Sequence, residues 1–337
     1  MRKSVEFNVA GFRIYFVMKG AIYLMLQKNA IGSADQKKTR TNKVRLQLPL
    51  HLMMIPGIVL VVLFCYIPMF GIVMAFQDYN PLLGFFKSPW LGFNNFTYMF
   101  SMPDTLQVVW NTLYIAILKI IGNLLVPIVV ALLLNEIGSR VFQRSLQTII
   151  YLPYFLSWII LATVFIDILS PSSGAVNKVL GYLGVEPIYF LGDQKWFPIT
   201  MVFTDIWKGF GYGTIIYLAA LTGIDPTLYE ASVIDGANRW KQTWHVTLPG
   251  IRSVVILMMT LQLGNVLNAG FDQIFNLLSP VVYKTGDIID TLVYRMGLIN
   301  TQYSLATAVG LFKSVISMIL IALSYWLADK FANYRIF

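Results

Sequence analysis

Residues 229–250 read YEASVIDGANRWKQTWHVTLPG, a polar, charged and helix-prone stretch between two long apolar runs. The stretch marks its own boundaries. Just upstream, Asp225 can N-cap a helix whose first position is Pro226, where a missing N–H costs nothing. That helix is expected to run through Tyr229, Glu230 and Ile234 to Gly236, which accepts the left-handed turn that ends it. A second helix through Trp240 and Trp244 is expected to stop near Leu248, because Pro249 restricts the residue before it. Two short helices at a glycine elbow make a stiff, projecting knob. The residues alone leave two readings open: a lever for a partner, or an amphipathic loop lying on a membrane surface.

Composition supplies the setting. Hydrophobic residues make up 57% of the 337 and charged residues only 12%. A soluble domain carries about 25% charged residues, so this chain belongs in a bilayer. One cysteine, Cys65, excludes an intrachain disulfide framework, and His51 and His245 stand alone, so no metal cluster or catalytic constellation is expected. The net charge of +9 does not indicate nucleic acid, because residues 1–45 hold ten Lys/Arg against Glu6 and Asp35.

A membrane helix needs roughly 20 mainly apolar residues. Six segments qualify: 50–76, 108–134, 146–169, 197–223, 251–278 and 304–328. The expected fold is therefore all-α and multi-pass, with a basic arm at 1–48 and a transmembrane domain at 49–337. Within the arm, Arg13 and Lys19 interrupt VAGFRIYFVMKGAIYLMLQK (9–28), which favours an interfacial helix over a seventh span. With the N-terminus inside, 17 basic residues fall on the cytoplasmic side and five outside, so both termini are expected in the cytoplasm. The outer loops 77–107, 170–196 and 279–303 are rich in Pro, Gly and aromatics and read as compact caps, with Trp90 and Trp196 suited to the headgroup level.

The hairpin carries a resemblance. Glu230-Ala231-Ser232, three residues, Gly236, nine residues, Val246-Thr247-Leu248-Pro249 is similar to the EAA loop of binding-protein-dependent ABC importer permeases, E-A-A, three residues, G, nine residues, I-x-L-P. Ser232 and Val246 depart from that pattern conservatively. Ile234-Asp235-Gly236-Ala237 with Arg239-Trp240 resembles the sugar-importer branch, and GFDQIFNLLSPVVYKTGDIIDTLVYRMGL (270–298) its complex-oligosaccharide subgroup, which includes importers of acidic alginate or pectin fragments. The resemblance implies a type I importer transmembrane domain in a bacterial inner membrane. It also implies that Glu230, Ala231, Ser232, Asp235, Gly236, Leu248 and Pro249 form a coupling helix gripped by an ATPase subunit. The implied partners are a second, homologous permease, an ATPase dimer and an extracytoplasmic sugar-binding protein, in contact with lipid and without nucleic acid. No G-x-x-x-x-G-K-[ST] occurs, so this chain is expected to hold no cofactor, with ATP and magnesium on the separate ATPase.

Polar groups inside spans each require a partner or a wet cavity, because a charge at a helix centre costs about 2.5–3.5 kcal/mol. Asn265, Asn268, Asp272 and Asn276 are spaced 3, 4 and 4 apart, which would place all four on one helix face, with Gln262 a turn earlier. That stripe reads as a path for sugar hydroxyls, with interhelical bonding as the alternative. Asp205 and Lys208, three apart, read as a pair across one turn, and Trp207 and Tyr212 as stacking faces for a sugar ring. Lys119, Lys208 and Lys313 would suit a uronate, yet Asp167, Asp205 and Asp272 balance them, so charge alone leaves the substrate open. GFGYG (209–213) reads as close helix packing or a flexible point. The expected function is a sugar-importer permease. The alternatives are peptide or amino acid import on the same architecture and, less well supported, an ion-coupled transporter. A membrane-anchored enzyme lacks reactive residues.

Overall fold

The computed structural model describes residue 49 and residues 51–332; the basic arm with its 9–28 segment, and the last five residues, lie outside the described residues. The chain divides into two units, Met1–Gly71 and Ile72–Phe337. Helix α1 is His51–Phe76. The second unit continues with α2 (Thr105–Asn135), α3 (Arg140–Phe155), α4 (Trp158–Ile168) and α5 (Trp196–Leu221). Then come α6 (Pro226–Ile234), α7 (Arg239–Gly250), α8 (Arg252–Leu263), α9 (Phe271–Leu277) and α10 (Tyr303–Ala332). No strand forms among the described residues; the one β feature is an isolated bridge from Gln77 to Trp90.

By themselves α1, α2 and α10 are long and apolar enough to cross a bilayer, and the number rises to five if each of two bent pairs counts as one span. α5 has 26 residues, about 39 Å of helix, but Asp205, Lys208 and three glycines dilute its hydropathy. Two expected spans prove broken. The 146–169 segment is α3 and α4, bent by 103° around Leu156 and Ser157, where Pro153 ends one helix and the Ser157 hydroxyl caps the next. The 251–278 segment ends its helix at Leu263 and restarts only at Phe271, after Gly270 with a φ of 91°. Glycine at both ends of that break, Gly264 and Gly270, outweighs the apolar character that suggested one continuous helix.

The second helix of the hairpin does not stop before Pro249. A π turn at Thr243–Thr247 widens the backbone, and Leu248–Gly250 stays helical. α1 repeats the device: a π turn at Val62–Tyr66 directly precedes Ile67 and Pro68. In each case the wide turn relieves the clash that a proline ring imposes on the preceding turn.

Without a hydrophobic drive between helices in lipid, packing comes from close van der Waals contact. GFGYG supplies it. A Cβ at Gly211 would lie 2.2 Å from the Ile150 carbonyl of α3, and one at Gly213 would lie 2.9 Å from Pro127 of α2. The α2–α5–α9 core buries Ile115, Ala116, Phe197, Met201, Ala269 and Ile274. A second core joins the start of α2 to α10 through Val108, Leu292, Met296, Leu305 and Val309.

The loops 77–107, 170–196 and 279–303 are each tied by their own side-chain contacts. Phe76 stacks on Trp90 at 5.7 Å, and the Asn95 amide donates to the carbonyls of Ala75 and Gln77. Buried Asn177 ties 170–196 together by donating to Leu169, Ser170 and Ile188 carbonyls and accepting from the Ile188 N–H. In 279–303, Asp287 is buried beside Arg295, whose guanidinium also lies 4.4 Å from the Tyr283 ring centre.

Candidate functional site

The hairpin is capped at each end by its own residues. Asp225 accepts from the Thr227 N–H at 2.9 Å, and that backbone bond holds its carboxyl below the ordinary range. Gly236 has a φ of 74°. Its N–H donates to the Val233 carbonyl and the Ala237 N–H to the Ser232 carbonyl, which completes the paired bonds of a Schellman stop. Asn238, unremarked in the sequence, then N-caps α7 by accepting from the Lys241 N–H at 3.0 Å. The two helices are stitched at their base by Tyr229 and Thr247, whose hydroxyls lie 3.0 Å apart.

Rigid contacts carry the hairpin into the helical bundle. Ile251, fully buried, sits at the 61° bend between α7 and α8 and packs with Ala131 of α2 and with Tyr217 and Leu221 of α5. Ile224 and Leu248 of the hairpin segment pack against that cluster, as do Val254 and Met258 of α8. Outward, Glu230, Ala231, Asp235 and Pro249 are exposed, while Ser232 and Leu248 are half-buried. Ile234 is 86% exposed and Trp240 74%, and Leu228, Val233 and Trp244 are exposed as well, so the knob carries apolar surface beside its polar groups. Between the hairpin and the end of α2 lies a groove of about 730 Å³ lined by Leu133, Tyr229, Val233 and Trp240, among others. Arg239 bridges it to Glu136 at 3.1 Å, an exposed pair.

The polar residues of the bundle sort differently from their spacing. Asn265 and Asn268 lie in the break, and Asp272 and Asn276 on α9, so the four do not share one helix face. Asn265, Asn268 and Asp272 are exposed and Asn276 half-buried. Asn268 accepts from the Gly270 N–H at 3.4 Å, and Asn276 donates to the Asp272 carbonyl. Gln273, which sequence reasoning passed over, is the buried organiser. Its amide donates to the Met201 carbonyl and to the Thr204 hydroxyl, and its Oε1 accepts from Lys119.

Asp205 does not pair with Lys208. It accepts an ion pair from Lys119 of α2 at 3.3 Å and a hydrogen bond from Asn123 at 2.9 Å. Lys119 also donates to the Ala269 carbonyl at 2.7 Å, next to the left-handed Gly270. A backbone carbonyl freed by a break at membrane depth needs such a donor. Lys208 serves the other break. It donates to the Tyr154 carbonyl at 2.9 Å, with its ammonium 5.2 Å from the Tyr154 ring centre and 5.6 Å from that of Trp158. Tyr212 stacks on Tyr154 at 4.5 Å, and Trp207 meets Phe165 edge-on at 5.5 Å. Lys313 pairs with Asp290. Among the described residues no cluster of His, Cys, Asp and Glu fit to hold a metal occurs.

Broken apolar helices and a capped hairpin anchored on the helical core are the features of a membrane permease. The model of a family described as "Binding-protein-dependent transport system inner membrane component" matches residues 123–333, and the chain belongs to that family. It is a transport component of an ABC importer, in an inner membrane. Among its relatives, Protein LplB of Bacillus subtilis (strain 168) is 43% identical over 86% of this chain and 91% of its own length. The polygalacturonan/rhamnogalacturonan transport system permease protein YteP of the same organism is 41% identical over 91% and 96%. A crystal structure of a bacterial ABC transporter that imports the acidic polysaccharide alginate contains a chain 34% identical, with a TM-score of 0.79 over 86% of this chain and 98% of that one. A second crystal structure, of a bacterial alginate ABC transporter with an alginate pentasaccharide-bound periplasmic protein, matches with a TM-score of 0.78, 34% identity and coverage of 86% and 96%.

Proposed function

We propose that this chain is the permease subunit of an ATP-driven oligosaccharide importer, forming half of the translocation path. A second, homologous permease forms the other half, and a separate ATPase dimer, holding ATP and magnesium, grips the hairpin. The observation that carries this reading is the hairpin's construction. It is capped on both helices, stitched by Tyr229 and Thr247, and joined to α2, α5 and α8 through buried Ile251. An element that transmits closure of a partner must be stiff and must present contact surface. Glu230 and exposed Ile234 supply polar and apolar contacts beside the Gly236 elbow.

The substrate class follows the relatives, whose names point to oligosaccharides and disfavour the peptide alternative. An extracytoplasmic binding protein, like the periplasmic protein in the alginate complex, would deliver the sugar onto the outer caps. Both termini then lie in the cytoplasm. ATP-driven closure of the ATPases draws the hairpins together and turns the cavity outward, and hydrolysis returns it inward. Asn265, Asn268, Asp272 and Asn276, with Trp207, Lys208 and Tyr212, supply hydrogen bonds and ring faces along the path, while Asp205 is held by Lys119. The test is uptake by vesicles carrying both permeases, with and without the ATPase subunit. Accumulation of oligosaccharide only with the ATPase and ATP supports the reading; equal accumulation without it refutes the reading.

A further inference from the structure

The intramembrane charges that look balanced in the sequence are not balanced in space. Lys119 takes Asp205, and Lys313 takes Asp290. Lys208, near the middle of α5, has no carboxylate within ion-pair distance among the described residues. Its ammonium has three N–H donors, of which one goes to the Tyr154 carbonyl. An ammonium at that depth does not face lipid without a large cost, so the surface it occupies is wet or filled by a ligand. That surface is already shaped. Tyr154 and Tyr212 lie parallel, 8° apart, and the Trp158 ring centre lies 5.6 Å from the ammonium.

We infer that Lys208, with Tyr154, Trp158 and Tyr212, forms a subsite for a sugar ring that carries a carboxylate, so that this permease passes acidic oligosaccharides. The inference rests on the oligosaccharide reading and narrows it. The two uncommitted N–H donors match a carboxylate's acceptors, and a charge-assisted bond of this kind is about twice as strong as a neutral one. Tyr154 and Tyr212 stay partly exposed although each stacks on the other, and this uncovered aromatic surface offers the sugar's C–H groups an apolar contact. The carboxylate would supply the direct ion pair that Asp205, paired with Lys119 and acting on Lys208 only from a longer distance, leaves unmade. Asp272, exposed on α9 and without an ion-pair partner among the described residues, makes no contact with Lys208 and is left for hydroxyls.

The experiment compares an oligogalacturonate with its methyl ester, which keeps the rings and removes the charge. Uptake is measured below saturation in vesicles bearing the full assembly, for wild type, Lys208→Met and Lys208→Arg. The variant-to-wild-type ratio cancels the delivery protein's own preference. Lys208→Met is expected to lower uptake of the acid about tenfold more than that of the ester, the loss of one charge-assisted bond. Lys208→Arg is expected to restore most of the difference. Equal losses on both forms would show that Lys208 only caps the Tyr154 carbonyl, and would overturn the inference while leaving oligosaccharide import standing. No loss on either form would overturn it as well. A wild-type assembly that imports neither form would overturn the oligosaccharide reading itself.

Discussion

Lys119 of α2 and Asp205 of α5 lie 3.3 Å apart, and the same ammonium donates to the Ala269 carbonyl at the break before α9. One buried cation therefore joins two long helices to the only non-helical backbone between α8 and α9. Removing it takes the cation from Asp205, which keeps only the Asn123 amide, and takes the side-chain donor from the Ala269 carbonyl. Lys119→Met is expected to destabilise the chain by about 3–5 kcal/mol, the usual effect of leaving one partner of a buried pair unpaired. The double variant Lys119→Met/Asp205→Asn removes both charges and is expected to recover much of that loss. Thermal unfolding of the purified, detergent-solubilised assembly measures both; equal destabilisation by the single and double variants would deny the pair its role.

Gly270 tests the break itself. Its φ of 91° is unfavourable for any side chain, and a Cβ there would stand 2.8 Å from the Lys119 ammonium. Gly270→Ala is expected to lower transport severalfold with the assembly still present in the membrane. Gly310→Ala on α10, with nothing within 4 Å of the added atom, serves as the neutral control. Uptake assays on membranes matched for permease content check both.

Gly211 tests the packing of α5 on α3. The clash at Gly211→Ala is with the Ile150 backbone, which cannot rotate away as a side chain would. Overpacking of this kind costs about 1–3 kcal/mol. A lower melting temperature for Gly211→Ala than for Gly181→Ala, whose added carbon meets open space, is the expected result.

Much of this was legible locally, and the rest was not. Asp225, Pro226 and Gly236 declared the first hairpin helix because caps and turns are set by neighbours a few residues apart. The glycines of GFGYG declared close packing for a similar reason. The pairing of Asp205 was out of reach, since Lys119 lies 86 positions away while Lys208 is three away and carries the same charge. The stripe at 265–276 misled because helical spacing was assumed across Gly264 and Gly270, which end one helix and delay the next. Pro153 and Ser157 were present as signals for the α3–α4 bend, but hydropathy outweighed them. Pro249 gave the opposite error: the π turn ahead of it keeps Leu248 helical, and nothing in residue spacing announces a π turn.

The cap at Asn238 is a smaller, sharper test of hairpin stiffness. Asn238→Ala removes the acceptor for the Lys241 N–H and is expected to cost about 1 kcal/mol in the first turn of α7. Hydrogen exchange of the amides that start α7 should then quicken about fivefold, with the amides of α6 little changed. Unchanged exchange in α7 would mean that other contacts hold the helix.

The central claim is that the elbow is a handle for a separate motor, and Ile234, 86% exposed at its tip, reports on it most directly. Cysteine at that position, with a short bifunctional crosslinker, is applied to membranes containing the whole assembly. The account predicts a crosslink to the ATPase subunit that depends on nucleotide state and is lost in Gly236→Val and Glu230→Lys, together with transport. An Ile234→Cys elbow that labels only with lipid-phase reagents, or variants that lose the crosslink yet transport normally, would contradict it.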